Sequence, residues 1–91
     1  MARMKNDKFE ITNINTLIHL ELPKGSEFLS VINENGKIFI CTSINLETEE
    51  TEEYVVKCYG DGDAFNNDCY NYLGTVQNVV IPICHVFYKK L

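Results

Sequence analysis

The sequence is short of basic residues, and this shortage limits what the protein can bind. Eight lysines and arginines stand against thirteen aspartates and glutamates, so the formal net charge is −5, and Arg3 is the only arginine. Proteins that grip nucleic acid neutralise phosphates with clustered lysine and arginine, and an anionic membrane surface attracts the same clusters. We therefore expect no DNA, no RNA and no membrane among the partners.

Long apolar runs are also missing. No run approaches the ~20 residues that cross a bilayer, and the charged residues 1–8 are not followed by the apolar stretch of a secretory signal. We expect a cytoplasmic protein whose four cysteines are reduced thiols. The cysteines lack the paired spacing of a zinc site, and nothing activates one of them as a nucleophile. We expect no metal, no cofactor and no enzymatic activity.

Turn signals and alternating apolar residues dominate what is present. Asn35-Gly36 stands between two apolar runs, which is the strongest short-range signal for a hairpin with a type I′ turn. The alternation predicts strands over Lys8–Ile11, Thr16–Leu22, Glu27–Asn33, Lys37–Asn45, Tyr54–Tyr59, Tyr70–Gln77 and Val79–Tyr88. The sequence predicts an all-β fold, a small antiparallel sandwich or barrel of about seven strands with mostly hairpin connections. We expect a single β-domain over 8–91 behind a disordered tail, 1–7.

Two segments between the predicted strands stand out by composition. Residues 46–53 contain five glutamates without apolar periodicity, which indicates a solvated loop or a frayed strand end, with an anion-mimicking or metal-attracting patch as the alternative. Gly60-Asp-Gly-Asp63 lacks the later glutamate of a calcium loop and is typical of a turn. Its glycines would also let backbone N–H groups approach an anion closely.

The candidate ligand site combines this loop with two side chains. It comprises Tyr59, Gly60, Asp61, Gly62 and His85. A nucleotide-like ligand needs an aromatic face for stacking, close backbone donors for phosphate and a titratable donor. His85 shares a strand face with Phe87 and other apolar residues, so both a core position and a pocket position are open for it.

Several short motifs occur in an order that is shared with a known group of proteins. They are Leu22-Pro-Lys-Gly25, Phe28-Leu-Ser-Val31, Asn35-Gly36, Tyr59-Gly-Asp-Gly62, Tyr72-Leu-Gly-Thr-Val-Gln77 and His85-Val-Phe87. In this pattern the chain resembles a family of small, mostly uncharacterised proteins encoded by bacteriophages and prophages. It departs from the pattern at Asp61, where a small neutral residue is expected. The resemblance implies a compact β-domain of phage origin and no particular activity.

Three functions fit a small, non-catalytic viral protein in the host cell cytoplasm. By analogy with other small phage proteins, the first is a counter-defence sponge that sequesters a small nucleotide-derived immune signal, usually as a homo-oligomer. The second is an inhibitor that binds a host defence or regulatory protein through a sheet edge or the acidic loop. The third is a minor virion or assembly component. The glycine-rich loop, the tyrosines and His85 favour the first function, whereas the acidity favours the second.

Overall fold

Antiparallel β-strands make up the regular structure of the protein. The structure is a computed structural model that describes residues 3–12, 17–66, 69–77 and 83–91. Within these ranges it contains no helix and seven strands: β1 (Met4–Ile11), β2 (Ile18–Pro23), β3 (Glu27–Glu34), β4 (Lys37–Asn45), β5 (Thr51–Tyr59), β6 (Asn71–Val76) and β7 (Cys84–Lys90). They form a three-stranded sheet, in the order β1-β4-β3, and a four-stranded sheet, in the order β2-β5-β7-β6. The predicted all-β antiparallel sandwich is confirmed.

The hairpin between β3 and β4 has the predicted turn. Asn35 and Gly36 have φ angles of 53° and 80°, and Glu34 pairs with Lys37 across the turn. Positive φ at both central positions matches the right-handed twist of the two strands, as a type I′ turn requires. β4 has the predicted bounds and lies at the centre of its sheet, between β1 and β3.

Hairpins are fewer than the sequence analysis predicted. Of the six connections between consecutive strands, two join neighbours in a sheet, β3–β4 and β6–β7. The chain changes sheet after β1, β2 and β4, and it passes over β7 between β5 and β6. Changing sheets places two half-apolar surfaces against each other, and this burial outweighs the local advantage of a short connection.

Some strand bounds differ from the prediction. β1 begins at Met4 instead of Lys8, so residues 4–7 of the predicted tail belong to a strand that pairs with β4. The polar residues of this segment can form a strand because backbone pairing does not require apolar side chains. A side-chain hydrogen bond adds to the pairing, in which the Thr42 hydroxyl donates to the Asp7 carbonyl at 3.3 Å. The predicted strand start at Thr16, and Val79 and Pro82 at the start of the predicted last strand, lie outside the described residues.

The acidic segment divides between a loop and a strand. β5 begins at Thr51, so Glu52 and Glu53 are strand residues and the preceding glutamates lie in the loop. Glu52 forms an ion pair with Lys90 on the adjacent β7. The hydrogen bond from Lys90 holds the pKa of the Glu52 carboxyl below its usual range. The solvated loop therefore describes the beginning of this segment, whereas its end is a strand paired with β2, so the frayed-strand alternative is wrong.

The core lies between the two sheets. It is a cluster of buried residues from both of them: Ile11, Ile38, Ile40, Val56, Cys58, Val76, Cys84 and Val86. Cys58 and Cys84 are buried, at 6% and 0% exposure, and both are free thiols. A hydrogen bond with Cys84 and burial among apolar side chains raise the pKa of the Cys58 thiol. Cys58 therefore contributes to packing as a small neutral core residue.

Candidate functional site

The outer face of the four-stranded sheet gathers the chemistry-bearing side chains. Successive residues of a strand point to opposite faces. In β7, Cys84 and Val86 are fully buried in the core, so His85 and Phe87 lie on the other side. We call this side, with the adjoining Phe65, the outer face. Its central strands β5 and β7 pair directly, which brings Tyr59 opposite His85.

A polar row crosses the outer face at one end. His85 is paired with Tyr59 on β5 and with Thr75 on β6. Its Nδ1 lies 2.9 Å from the Thr75 hydroxyl oxygen, and that hydroxyl also contacts the hydroxyl of Tyr72. Its Nε2 lies 3.5 Å from a carboxylate oxygen of Asp61. The His85 side chain is 31% exposed, so the core alternative for this residue is wrong and its imidazole is accessible from solvent.

An aromatic row lies beside the polar row. The rings of Tyr59 and Phe65 are stacked with centroids 4.5 Å apart, and Phe65 lies 4.9 Å from Phe87. Tyr72 lies 5.5 Å from Phe87 on the other side. Tyr72 is 59% exposed and Phe65 is 40% exposed. These separations are those of attractive aromatic pairs, so the rings hold one another in place while still offering surface to a ligand.

Two lysines complete the outer face, Lys57 beside Phe87 and Lys89 at the end opposite His85. The Nζ atoms of Lys57 and Lys89 lie 4.8 and 5.4 Å from the centre of the Tyr70 ring. Lys57 is the register partner of Phe87 and therefore lies beside the aromatic row, whereas Lys89 lies one outer-face position beyond it. The hydrogen bond with Tyr70 raises the pKa of Lys57. Lys57 therefore stays positively charged at physiological pH, and the cation–π contacts restrict where both ammonium groups can go.

The glycine-rich loop forms a turn whose first donor is already used. The Gly60 N–H donates to Asp63 Oδ2 at 2.7 Å, and the Asp63 N–H donates to the Gly60 carbonyl at 3.2 Å. A Cβ atom at Gly60 would lie 3.2 Å from the same Asp63 oxygen, so glycine permits this close contact. Gly62 has a φ of 87°. The predicted turn is present, but two aspartates flank it and the Gly60 donor serves Asp63 instead of a phosphate.

The structure thus brings together most of the predicted site. Tyr59, Asp61 and His85 converge on the outer face, and Gly60 and Gly62 shape the turn that positions Asp61. Sequence reasoning missed the following contributors: Lys57, Phe65, Tyr70, Tyr72, Thr75, Phe87 and Lys89. For Phe87 and Lys89 a signal was available, because they follow His85 at the period of two that defines one strand face.

The three-stranded sheet offers a groove of a different kind. A depression of about 400 Å³ is lined by Asn6, Asp7, Lys8, Leu29, Cys41 and Thr42. It contains none of the predicted site residues. Among the described residues no three His, Cys, Asp or Glu side chains lie close enough to hold a metal ion. The described part of the chain also contains no helix that is long and apolar enough to cross a membrane.

Comparison with known proteins identifies a family. A family model described as a domain of unknown function (DUF7352) matches residues 6–91. The match spans nearly the whole chain, so the protein belongs to this family. No curated protein and no solved structure matches it.

Proposed function

We propose that the protein is a non-catalytic binding protein that sequesters a small nucleotide-like ligand on the outer face of the four-stranded sheet. The observation that carries the proposal is the order of the rows on this face: hydrogen-bonding groups, then aromatic rings, then cations. A nucleotide presents the same three chemistries in series, with a base edge, an aromatic ring and phosphates. The resemblance to phage proteins supports a role in counter-defence, in which the ligand is an immune signal of the host.

The dimensions of the face agree with such a ligand. Along β7, the polar row is marked by His85, the aromatic row by Phe87 and the cationic end by Lys89. Four residues of a strand span ~13 Å, which is the scale of a nucleoside with a short phosphate chain. Stacking on exposed aromatic rings contributes ~1–3 kcal/mol per base. The aromatic row therefore supplies affinity, and the groups on either side supply orientation.

The charges on the face determine the direction in which the ligand binds. Asp61 and Asp63 surround the turn next to His85, and their carboxylates repel phosphate. Lys89 stands at the opposite end, and Lys57 stands beside the aromatic row with its ammonium group over the Tyr70 ring. We therefore place the phosphates at the lysines and the base edge or the sugar hydroxyls at the polar row. This reverses the phosphate position that the glycine-rich loop indicated in the sequence.

The polar row contains an Asp, a His and a Thr, the residue types of a hydrolytic triad, but its geometry favours binding. Asp61 lies 3.5 Å from Nε2 of His85, which is a long contact for an orienting hydrogen bond. Acyl transfer also needs preorganised donors aimed at an oxyanion, and the nearby Gly60 N–H is occupied by Asp63. Thr75 and His85 act in our proposal as hydrogen-bonding groups.

Isothermal titration calorimetry tests the proposal directly. The probes are nucleoside triphosphates, cyclic dinucleotides and the corresponding phosphate-free nucleosides. We expect a nucleotide to bind and its nucleoside to bind at least about tenfold more weakly, because the lysines contact phosphate. Replacing both Lys57→Gln and Lys89→Gln should remove this difference. The matched control, Lys5→Gln with Lys37→Gln on the three-stranded sheet, should preserve it.

A thermal-shift measurement with cell extract tests for a ligand that the pure nucleotides do not include. Deproteinised nucleotide extract from infected, defence-bearing cells should raise the melting temperature of the wild-type protein. Tyr72→Ala should abolish the rise while changing the melting temperature of the free protein little, because Tyr72 is 59% exposed. If neither the extract nor any pure nucleotide binds, the nucleotide proposal is wrong.

The openness of the same face favours a second candidate, inhibition of a host protein. Exposed tyrosine and phenylalanine side chains are enriched in protein interfaces, and such surfaces are flatter than small-molecule pockets. A purified host protein that binds the wild type but not Tyr72→Asp, together with no response to the nucleotide extract, would establish this function instead.

A further inference from the structure

We infer that the outer edge of β6, which pairs with no other strand among the described residues, pairs with the β6 edge of a second copy of this chain. Such pairing is antiparallel and two-fold symmetric, and it joins two four-stranded sheets into one sheet of eight strands. The aromatic rows then continue across the seam, because Tyr72 lies on the outer face at this edge. The dimer itself does not depend on the proposed function. Only the suggestion that the joined face forms one ligand site shared by two subunits rests on it.

The charge pattern of the edge strands points to β6. The two sheets have four edge strands among the described residues, β1, β3, β2 and β6. Proteins protect exposed edges with charged side chains and proline. β1 carries four charged side chains and β3 carries two glutamates. β2 carries Glu21 and ends at Pro23, whereas β6 contains no charged residue and no proline.

The distribution of negative charge supports this choice. The chain has a net charge of −5, so self-association must keep the acidic groups of the two copies apart. On the four-stranded sheet, Glu21 and its partner Glu53 lie on β2 and β5, at the opposite side from β6. Pairing through β6 places these carboxylates at the two far ends of the joined sheet. On the outer face near the seam, the charged groups are Lys89 on β7 and Asp61, whose carboxylate lies 3.5 Å from His85 Nε2.

The bulge in β6 limits the length of the pairing without preventing it. The register with β7 shifts between Tyr72 and Gly74. Gly74 faces Val31 of β3 so closely that a Cβ atom there would lie 2.8 Å from the Val31 side chain. The bulge thus serves packing between the sheets, and it bends the strand. We therefore expect a short edge contact, in which the exposed Tyr72 adds aromatic surface.

Symmetry separates this arrangement from the obvious alternative. A β6 edge that pairs with another β6 edge closes at two subunits, because the same surface is used on both. A β6 edge that pairs with β2 would leave one of each edge free and would extend into a filament. Pro23 cannot donate a ladder hydrogen bond and Glu21 adds charge, so β2 is the poorer partner.

Sedimentation equilibrium of the nucleotide-free protein tests the inference. We expect the wild type to have the mass of a dimer in the micromolar range. Asn71→Lys with Thr75→Lys places two charges on the β6 edge of each copy and should raise the dissociation constant at least about tenfold. The matched control, Leu17→Lys with His19→Lys, adds the same charge at β2 and should leave it unchanged within about twofold.

Other outcomes would overturn the inference. A wild-type monomer at high micromolar concentration, growth beyond the dimer, or dissociation by the β2 variant alone would each do so. If the β6 variant does not melt cooperatively, hydrogen exchange of the wild type decides: β6 amides must become more protected as concentration rises, while β1 amides stay constant. Because no nucleotide is present, the dimer and the ligand site can fail independently.

Discussion

The two faces of the four-stranded sheet use the same strands for opposite purposes. The inner face buries its side chains in the core, where Val56, Cys84 and Val86 are 0% exposed and Tyr54 is 8% exposed. The outer face carries large rings and charged groups, of which Tyr72 is 59% exposed. Large aromatic residues usually contribute most when they are buried. Phe28, Tyr54 and Tyr88 contribute in this way between the sheets, so the rings of the outer face are additional to the core and remain available for binding.

The largest expected effect is a difference in stability between variants of two adjacent β7 residues, one on the inner face and one on the outer face. Val86→Asp places an unpaired carboxylate in a fully buried position, and this should cost several kcal/mol, enough to unfold a domain with a total stability of ~5–15 kcal/mol. Phe87→Asp, one residue further on the outer face, should retain a cooperative thermal transition observed by circular dichroism. If the two variants lose stability equally, the outer face is part of the core and the comparison fails.

The close approach of the two sheets leads to a second, smaller effect. Gly74→Ala places a methyl group 2.8 Å from Val31 Cγ1, and such overpacking should destabilise the protein by ~1–3 kcal/mol in urea denaturation. Adding Val31→Ala removes the clashing atom, so the double variant should be more stable than the sum of the two single effects predicts. If the stability change of the double variant equals the sum of the two single changes, the sheets separate easily at this point.

The smallest effect concerns the buried thiols of the inner face. The pKa of Cys58 is raised in the folded protein, whereas an unfolded cysteine ionises near pH ~8.5. Above that pH the unfolded state loses a proton that the folded state retains, so the free energy of unfolding falls as pH rises. The contribution of the Cys58 thiol to stability is fully present below pH ~8.5. Denaturant titrations above pH ~8.5 should therefore show a falling free energy of unfolding. Cys58→Ala should flatten this dependence.

Local patterns accounted for much of the fold. The Asn35-Gly36 turn and the bounds of β4 follow from backbone preferences and from alternation within a few residues. Alternation also placed His85 on one face with Phe87. What these patterns do not contain is the order of strands in each sheet, because pairing between distant segments depends on how two apolar surfaces cover each other.

The candidate site was only partly predictable for the same reason. Tyr59, Asp61 and His85 meet because β5 pairs with β7, a long-range pairing that the local patterns do not specify. The contact of Thr75 with His85 depends on the register between β6 and β7. Phe65 lies in a loop without periodicity, and only its packing on Tyr59 and Phe87 reveals its role. The use of the Gly60 donor by Asp63 likewise requires the folded turn.

The short turn at Asn35-Gly36 also has a consequence for the order in which the molecule folds. A hairpin closed by two residues forms within ~1–10 μs because little chain entropy is lost. The pairing of β2 with β5 joins Leu20 to Tyr54, and many residues separate these in the chain. Distant pairings of this kind make folding slow, in the range of milliseconds to seconds. We therefore expect β3 and β4 to form early, as a template, and the four-stranded sheet with its binding face to assemble in the rate-limiting step.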